Sequence, residues 1–207
     1  MKYILSGSNL ASEAILPFMW SQGHRDWKYI RSVCIQNGAS RFDTFPHYTL
    51  SKYIYYTRIK KINWISLLDY YFYNKEESKK LIEEKFGWCN YGRKHGESNY
   101  TKIFQEYILP TKFGYDKRRA HLSSLIVAGQ LSRTEALDQL KEPLYKEKYQ
   151  QEDDIAYLVN KLCITREQFE EIIKMPPKTM HDYANMEDSW YYKVARVLFG
   201  VIKRNKK

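Results

Sequence analysis

The sequence predicts a mainly α protein with a small α/β part at its N-terminus. One confident strand, Tyr3-Ile4-Leu5, stands against about eight helical segments, several of which open on an N-cap or a capping box. The 207 residues carry 43% apolar side chains, nine Gly and six Pro, enough chain and enough apolar content to bury a core without metals or disulfides. The same composition excludes collagen-like, low-complexity and disulfide-scaffold classes.

Each element follows from local chemistry. Tyr3-Ile4-Leu5 reads as a short buried strand, and Ser6-Gly7-Ser8-Asn9 closes it with residues suited to a turn or a helix start. Ala11 to Met19 reads as a short helix limited by Pro17. Asp26 to Gln36 is a second helix, with Asp26 in the N-cap place, Trp27, Ile30 and Cys34 on one face and Gly38 just past its end. Pro46 biases Phe45 away from helical angles, so residues 41 to 47 are expected as an extended loop. Thr49 to Lys61 reads as a Tyr-rich helix, whereas Ile62 to Leu68 is too short and mixed to assign.

The later helices are better marked. Asn74-x-x-Glu77 opens one that runs to Phe86 before Gly87. Asp116 to Ala128 ends at Gly129, and Ser132-Arg133-Thr134-Glu135 is a capping box for Ser132 to Leu140. Ile155, Leu158, Val159 and Leu162 recur at helical spacing in Asp153 to Leu162. Thr165 to Gln168 caps a helix that is expected to bury Phe169, Ile172 and Ile173. The last helix aligns Trp190, Val194, Val197, Leu198, Val201 and Ile202 on one face.

Charge is unevenly distributed. The net +10 divides into +5 over residues 1 to 60, +2 over 61 to 115, −3 over 116 to 188 and +6 over 189 to 207. The basic end, closing on Lys203-Arg204-Asn205-Lys206-Lys207, suits nucleic acid or an anionic membrane surface, or simply a solvated tail whose cations oppose a helix dipole. Cys34, Cys89 and Cys163 form no C-x-x-C pair, which argues against zinc and disulfides and fits a reducing cytoplasm. No apolar run reaches the ~18 residues of a membrane span, and the N-terminus lacks a signal-peptide apolar core.

Three segments could carry chemistry. Gly7-Ser8-Asn9 to Glu13, a strand-to-helix turn, would offer backbone N–H groups to an anion, although any such turn uses these residue types. Residues 91 to 133 hold two basic clusters, one around Arg93-Lys94-His95 and one at Lys117-Arg118-Arg119 with His121. Lys and Arg there suit phosphate oxygens, and Glu97 or His95 suits proton transfer; the competing reading is a solvated helix N-terminus with His121 in the core. Residues 116 to 140 mimic a DNA-binding helix-turn-helix, but the second helix sets Arg133 against Glu135 and Asp138, so a helical hairpin inside a larger fold is preferred.

The second segment also resembles a known family. Lys94-His95-x-Glu97-Ser98, Tyr107-Ile108-Leu109-Pro110-x-Lys112-Phe113-Gly114-x-Asp116-Lys117-Arg118-x-Ala120-His121-Leu122-Ser123 and Gly129-Gln130-x-x-Arg133-x-Glu135-Ala136-Leu137 are similar to the C-terminal half of the N-acetyl sugar amidotransferases, within the ATP-pyrophosphatase group. Gly7-Ser8-Asn9 to Glu13 and Phe45-Pro46 to Lys52 resemble two earlier stretches of that group, so the resemblance spans most of residues 4 to 190.

The resemblance implies the C-terminal portion of an adenine-nucleotide α-hydrolase-like fold, with residues 1–68 as a remnant of the nucleotide-binding α/β domain and 69–207 as a helical substrate-side domain. It implies a reaction in which ATP and Mg²⁺ activate the acetamido oxygen of a nucleotide-linked N-acetyl sugar. Ammonia from a glutaminase and cyclase-like pair then displaces AMP to leave an acetamidino group. The pathway it implies is lipopolysaccharide, O-antigen or flagellar glycan assembly, in the cytoplasm.

By the same resemblance Gly7, Asn9, Lys94, Lys117, Arg118 and Arg119 are candidates for phosphate or sugar-nucleotide contacts. Glu13 and Asp26 are candidates for organising the activated intermediate or Mg²⁺, and His95 and Glu97 for proton transfer. The group's S-G-G-x-D-S pyrophosphate signature is missing from these 207 residues, whose sole Asp-Ser is Asp188-Ser189. The expectation is a chain inactive alone, needing a second polypeptide with that signature and leaving an exposed edge on its residual sheet. The alternative is a non-catalytic basic helical module for nucleic acid or another protein; the mildly acidic stretch 116–188 favours the sugar-nucleotide reading over the nucleic-acid one.

Overall fold

The computed structural model describes residues 1–21, 23–89 and 97–199. The basic cluster with Lys94 and His95, and the residues beyond 199, lie outside the described residues. In chain order the strands are β1 (Tyr3–Ser6) and β2 (Asn63–Ser66). The helices are α1 (Leu10–Glu13), α2 (Trp27–Gln36), α3 (Leu50–Ile54), α4 (Lys75–Phe86), α5 (Asn99–Ile103), α6 (Lys117–Val127), α7 (Arg133–Lys141), α8 (Lys148–Leu162), α9 (Arg166–Lys174) and α10 (Trp190–Phe199). The mainly α expectation holds.

The chain forms two compact units, each assembled from separated stretches. The first comprises Met1–Ser6, Phe18–Ile65 and Lys178–Lys207; the second comprises Gly7–Pro17 and Ser66–Pro177.

In the first unit, β1 pairs with β2, and Asn63 N–H donates to the Lys2 carbonyl at 2.8 Å. The expectation of a buried strand at Tyr3 to Leu5 is corrected: Tyr3 and Leu5 are exposed, because the strand has one partner and alternates half-buried with exposed residues. β2 itself falls in the segment the sequence left unassigned; pairing with a strand about 60 residues away defines it.

Asp26 caps α2 through Tyr29 N–H at 3.0 Å, and its second carboxylate oxygen accepts from Met186 N–H at 2.6 Å. Lys28 Nζ reaches Ser189 Oγ at 2.9 Å, and Ala184 N–H donates to Ser32 Oγ at 3.1 Å, so three side chains of the α2 region hold the loop before α10. Buried Asn185 organises that loop, donating to the carbonyls of Met180 and Tyr183 and to the Asp188 carboxylate at 2.5 Å. Trp27 stacks on Phe45 and on His47, with ring centroids 5.4 and 4.2 Å apart, which pins the loop 41–47; it is not extended throughout, since a turn at 43–45 brings Phe45 N–H to the Phe42 carbonyl at 3.1 Å.

The second unit holds the main apolar core. Ile103, Ile155, Leu158 and Phe169 are buried together, with Tyr107, Ile108, Val159, Ile164 and Ile173 packed around them. Fully burying each such aliphatic side chain contributes about 2–3 kcal/mol. Leu162 and Ile172 were expected in this face and are instead 51% and 45% exposed. α8 ends immediately at Cys163, which takes φ 54°, and Ile172 lies to the side of the Phe169–Ile173 stripe.

Other boundaries moved for identifiable reasons. The helix expected from Ala11 to Met19 is only α1 plus a 3₁₀ turn at Phe18–Trp20. Ile15 N–H, which a continuing helix would use, donates to Ser124 Oγ of α6 at 3.0 Å, and Pro17 has no N–H. The Thr49–Lys61 helix begins as α3 and widens to π-helical winding over Tyr55–Ile59, with Lys60 N–H on the Tyr55 carbonyl at 2.8 Å. After α5 the chain also winds as a π-helix over Phe104–Phe113, with Pro110 inside it. Lys112 Nζ donates to the carbonyls of Ile172 and Met175, capping the end of α9.

Candidate functional site

The second unit contains a cleft of about 680 Å³. Four stretches build it: the first turn of α4, residues 102 to 106, α6 from its Asp116 cap, and the chain around the end of α7 to Lys146. Local sequence positions each wall. Asn74 caps α4 by accepting from Glu76 and Glu77 N–H groups, which sets Lys75 and Lys79 one helical turn apart on the cleft side. Gln130, in the turn after α6, donates to the Tyr73 carbonyl at 2.6 Å and accepts from Lys75 N–H, tying that turn to the start of α4.

Six Lys or Arg side chains, at 75, 79, 102, 117, 118 and 146, line the cleft with His121, against the carboxylates of Glu76, Glu106, Asp116 and Glu142. Much of this charge is structural. Lys79 pairs with Glu76 at 2.8 Å, and Lys102 pairs with Asp154 at 2.7 Å while lying over the Tyr145 ring. Arg118 pairs with Asp116 at 2.8 Å and donates to the Glu142 carbonyl at 2.7 Å, so it closes the C-terminal end of α7. Burial pushes the Asp116 carboxyl up, but the hydrogen bonds and charge of Arg118, aided by Arg119, outweigh that and hold it below its ordinary value. The result is a half-buried surface with a modest excess of cations, braced by its own ion pairs, which suits an anionic ligand.

The candidate residues are dispersed over both units. Lys117 and Arg118 line the cleft, half-buried, while Arg119 is exposed and does not line it. Glu97 is exposed in the turn before α5. Gly7 is exposed, and Asn9 is buried as the N-cap of α1, accepting from Ser12 N–H at 2.8 Å. Leu10 N–H donates to the Asp69 carboxylate at 2.8 Å, so two N–H groups of this turn, those of Leu10 and Ser12, already have acceptors within the chain. Glu13 is exposed on α1. His121, expected in the core, is half-buried on the cleft wall, which corrects that part of the competing reading.

Asp26 lies in the first unit with both oxygens on backbone N–H groups. Among the described residues no group of three or more His, Cys, Asp or Glu is arranged to hold a metal ion.

Sequence reasoning passed over Lys75, Lys79, Lys102, Gln130 and Lys146. The 75/79 spacing was a readable signal that two lysines share a helix face; what that face meets was not readable.

The molecule is thus a mainly α protein with a braced cationic cleft between helices. Residues 97–197, which include three of the four stretches that build the cleft, match a family described as "LPS biosynthesis protein WbpG-like, C-terminal domain". At that level the match agrees with the resemblance carried by the motifs: this part of the chain is similar to a domain of a lipopolysaccharide-biosynthesis protein. No curated protein and no solved structure matches the chain. Among the described residues no helix is long and apolar enough to cross a membrane.

Proposed function

We propose that the chain supplies the substrate-side part of an ATP-dependent amidotransferase of lipopolysaccharide or related glycan biosynthesis, one that converts an acetamido group of a nucleotide-linked N-acetyl sugar to acetamidino. The observation that carries the proposal is the coincidence of the matched stretch 97–197 with the Lys117 and Arg118 wall of the cationic cleft.

The chemistry divides naturally. An amide is a poor electrophile, so its oxygen must become a leaving group before ammonia can displace it. Binding the diphosphate of a nucleotide sugar needs cations held in place, and Lys117 and Lys75 both line the cleft where such a group would lie. Arg118 acts as a positioning residue, fixing the end of α7 against the start of α6. Activation by ATP and Mg²⁺ falls to a segment carrying the S-G-G-x-D-S signature, and ammonia to the glutaminase and cyclase-like pair. Residues 1–207 are then expected to bind the sugar nucleotide without turning over ATP.

Titration calorimetry with a UDP-linked N-acetylhexosamine, alongside ATP–pyrophosphate exchange, tests this. Binding that is weakened by Lys117→Glu, with no exchange, supports the reading. Absence of any nucleotide-sugar binding, or robust exchange by the chain alone, overturns it.

A further inference from the structure

Helix α10 shows two sides. Tyr192 and Ala195 are buried in the first unit, whereas Trp190, Val197 and Leu198 are 76%, 81% and 71% exposed, with Val194 exposed between them. At helical spacing those four side chains fall in one arc of about 100°, and exposed Lys193 and Arg196 lie on its flank. The sequence continues the mixture with Val201, Ile202, Lys203, Arg204, Lys206 and Lys207, so residues 189–207 contain six cations and no carboxylate.

Single exposed apolar residues are ordinary; four on one helical arc beside a run of cations are not. The occupant of this face must offer apolar volume and negative charge together. Nucleic acid would satisfy the cations and leave Val197 and Leu198 against phosphate and water. A second copy of the chain would cover the apolar arc but would bring six cations against six. The surface of an anionic bilayer supplies both: an acyl boundary for Trp190, Val194, Val197 and Leu198, and headgroup phosphates for the Lys and Arg side chains.

We propose that α10 and the basic residues after it form a membrane-surface anchor that brings this chain to bilayers rich in anionic phospholipid, lying on them rather than crossing. Because Tyr192 and Ala195 hold α10 to its unit, the folded unit docks as a whole.

The test is flotation of the 207-residue chain with vesicles of phosphatidylcholine, alone or with about 30% phosphatidylglycerol. The expected result is capture by the anionic vesicles only, weakening as salt is raised. Val197→Glu combined with Leu198→Glu is expected to lower the bound-to-free ratio about tenfold or more, as is charge reversal of Lys203, Arg204, Lys206 and Lys207 together. Circular dichroism checks that the apolar variant keeps its helices; should it not, Trp190→Ser replaces it.

A chain that stays unbound by anionic vesicles overturns the proposal. So does binding indifferent to the apolar variants, including capture of duplex DNA through the tail alone. A dimer in size-exclusion chromatography that these substitutions dissociate, without vesicle binding, overturns it in favour of self-association.

Discussion

The carboxylate of Asp26 accepts the backbone N–H of Met186 at 2.6 Å, joining the start of α2 to a loop 160 residues later in the chain. Its other oxygen caps α2 at Tyr29. A residue placed by resemblance among those handling an activated intermediate is thus a buried structural tie, and its substitution separates the two roles.

Asp26→Ala removes a helix cap and leaves a backbone N–H without its acceptor. The expected cost is about 2–3 kcal/mol of unfolding free energy in urea titrations. Unchanged stability with altered ligand binding would instead speak for a functional carboxylate.

Ile155→Ala and Phe169→Ala each empty part of the buried cluster and are expected to cost about 3–4 kcal/mol. Leu162→Ala, at a position the periodicity assigns to the same face, is expected to cost less than about 1 kcal/mol because the side chain is already half in water. Equal losses at Leu162 and Ile155 would contradict this core.

Arg118→Ala breaks the pair with Asp116 and releases the Glu142 carbonyl at the end of α7. The pair is half-buried, so a loss on the order of 1–2 kcal/mol is expected. Arg118→Lys should recover only part of it, since one ammonium cannot reproduce the guanidinium fork. Thermal melts of the three proteins at neutral pH rank them.

Asp116 also gives a pH dependence with a definite sign. Its carboxyl is held below its ordinary value when folded, so its ionised form favours the folded state. That contribution is complete above the ordinary carboxylate pKa and is lost as pH falls through the lowered folded value. Acidification below about pH 4 is therefore expected to destabilise the wild type more than Asp116→Asn. Parallel stability curves for the two proteins between pH 5 and the acid limit would refute the assignment.

Much of the fold was legible because its determinants are local. Asn74, Asp116, Ser132 and Thr165 each cap a helix with atoms no more than three residues away, and Gly87 ends α4 in the left-handed region. The sequence by itself therefore determined the helices, most of their starts, and the mainly α class. Part of the candidate site was equally legible, since Lys117 and Arg118 follow directly from the Asp116 cap.

The tertiary structure alone decided the rest, because burial and pairing depend on partners far along the chain. Nothing near Ile15 announces that Ser124 will take its N–H and end a helix. β2 exists only because β1 lies beside it, and Lys75 reaches the cleft only because Gln130 holds the α6–α7 turn against it. In α10, the periodicity lined up Trp190, Val194, Val197 and Leu198, but an apolar stripe states only that a helix has a side to cover. Packing within the unit covered the side of Tyr192 and Ala195 and left the stripe facing outward.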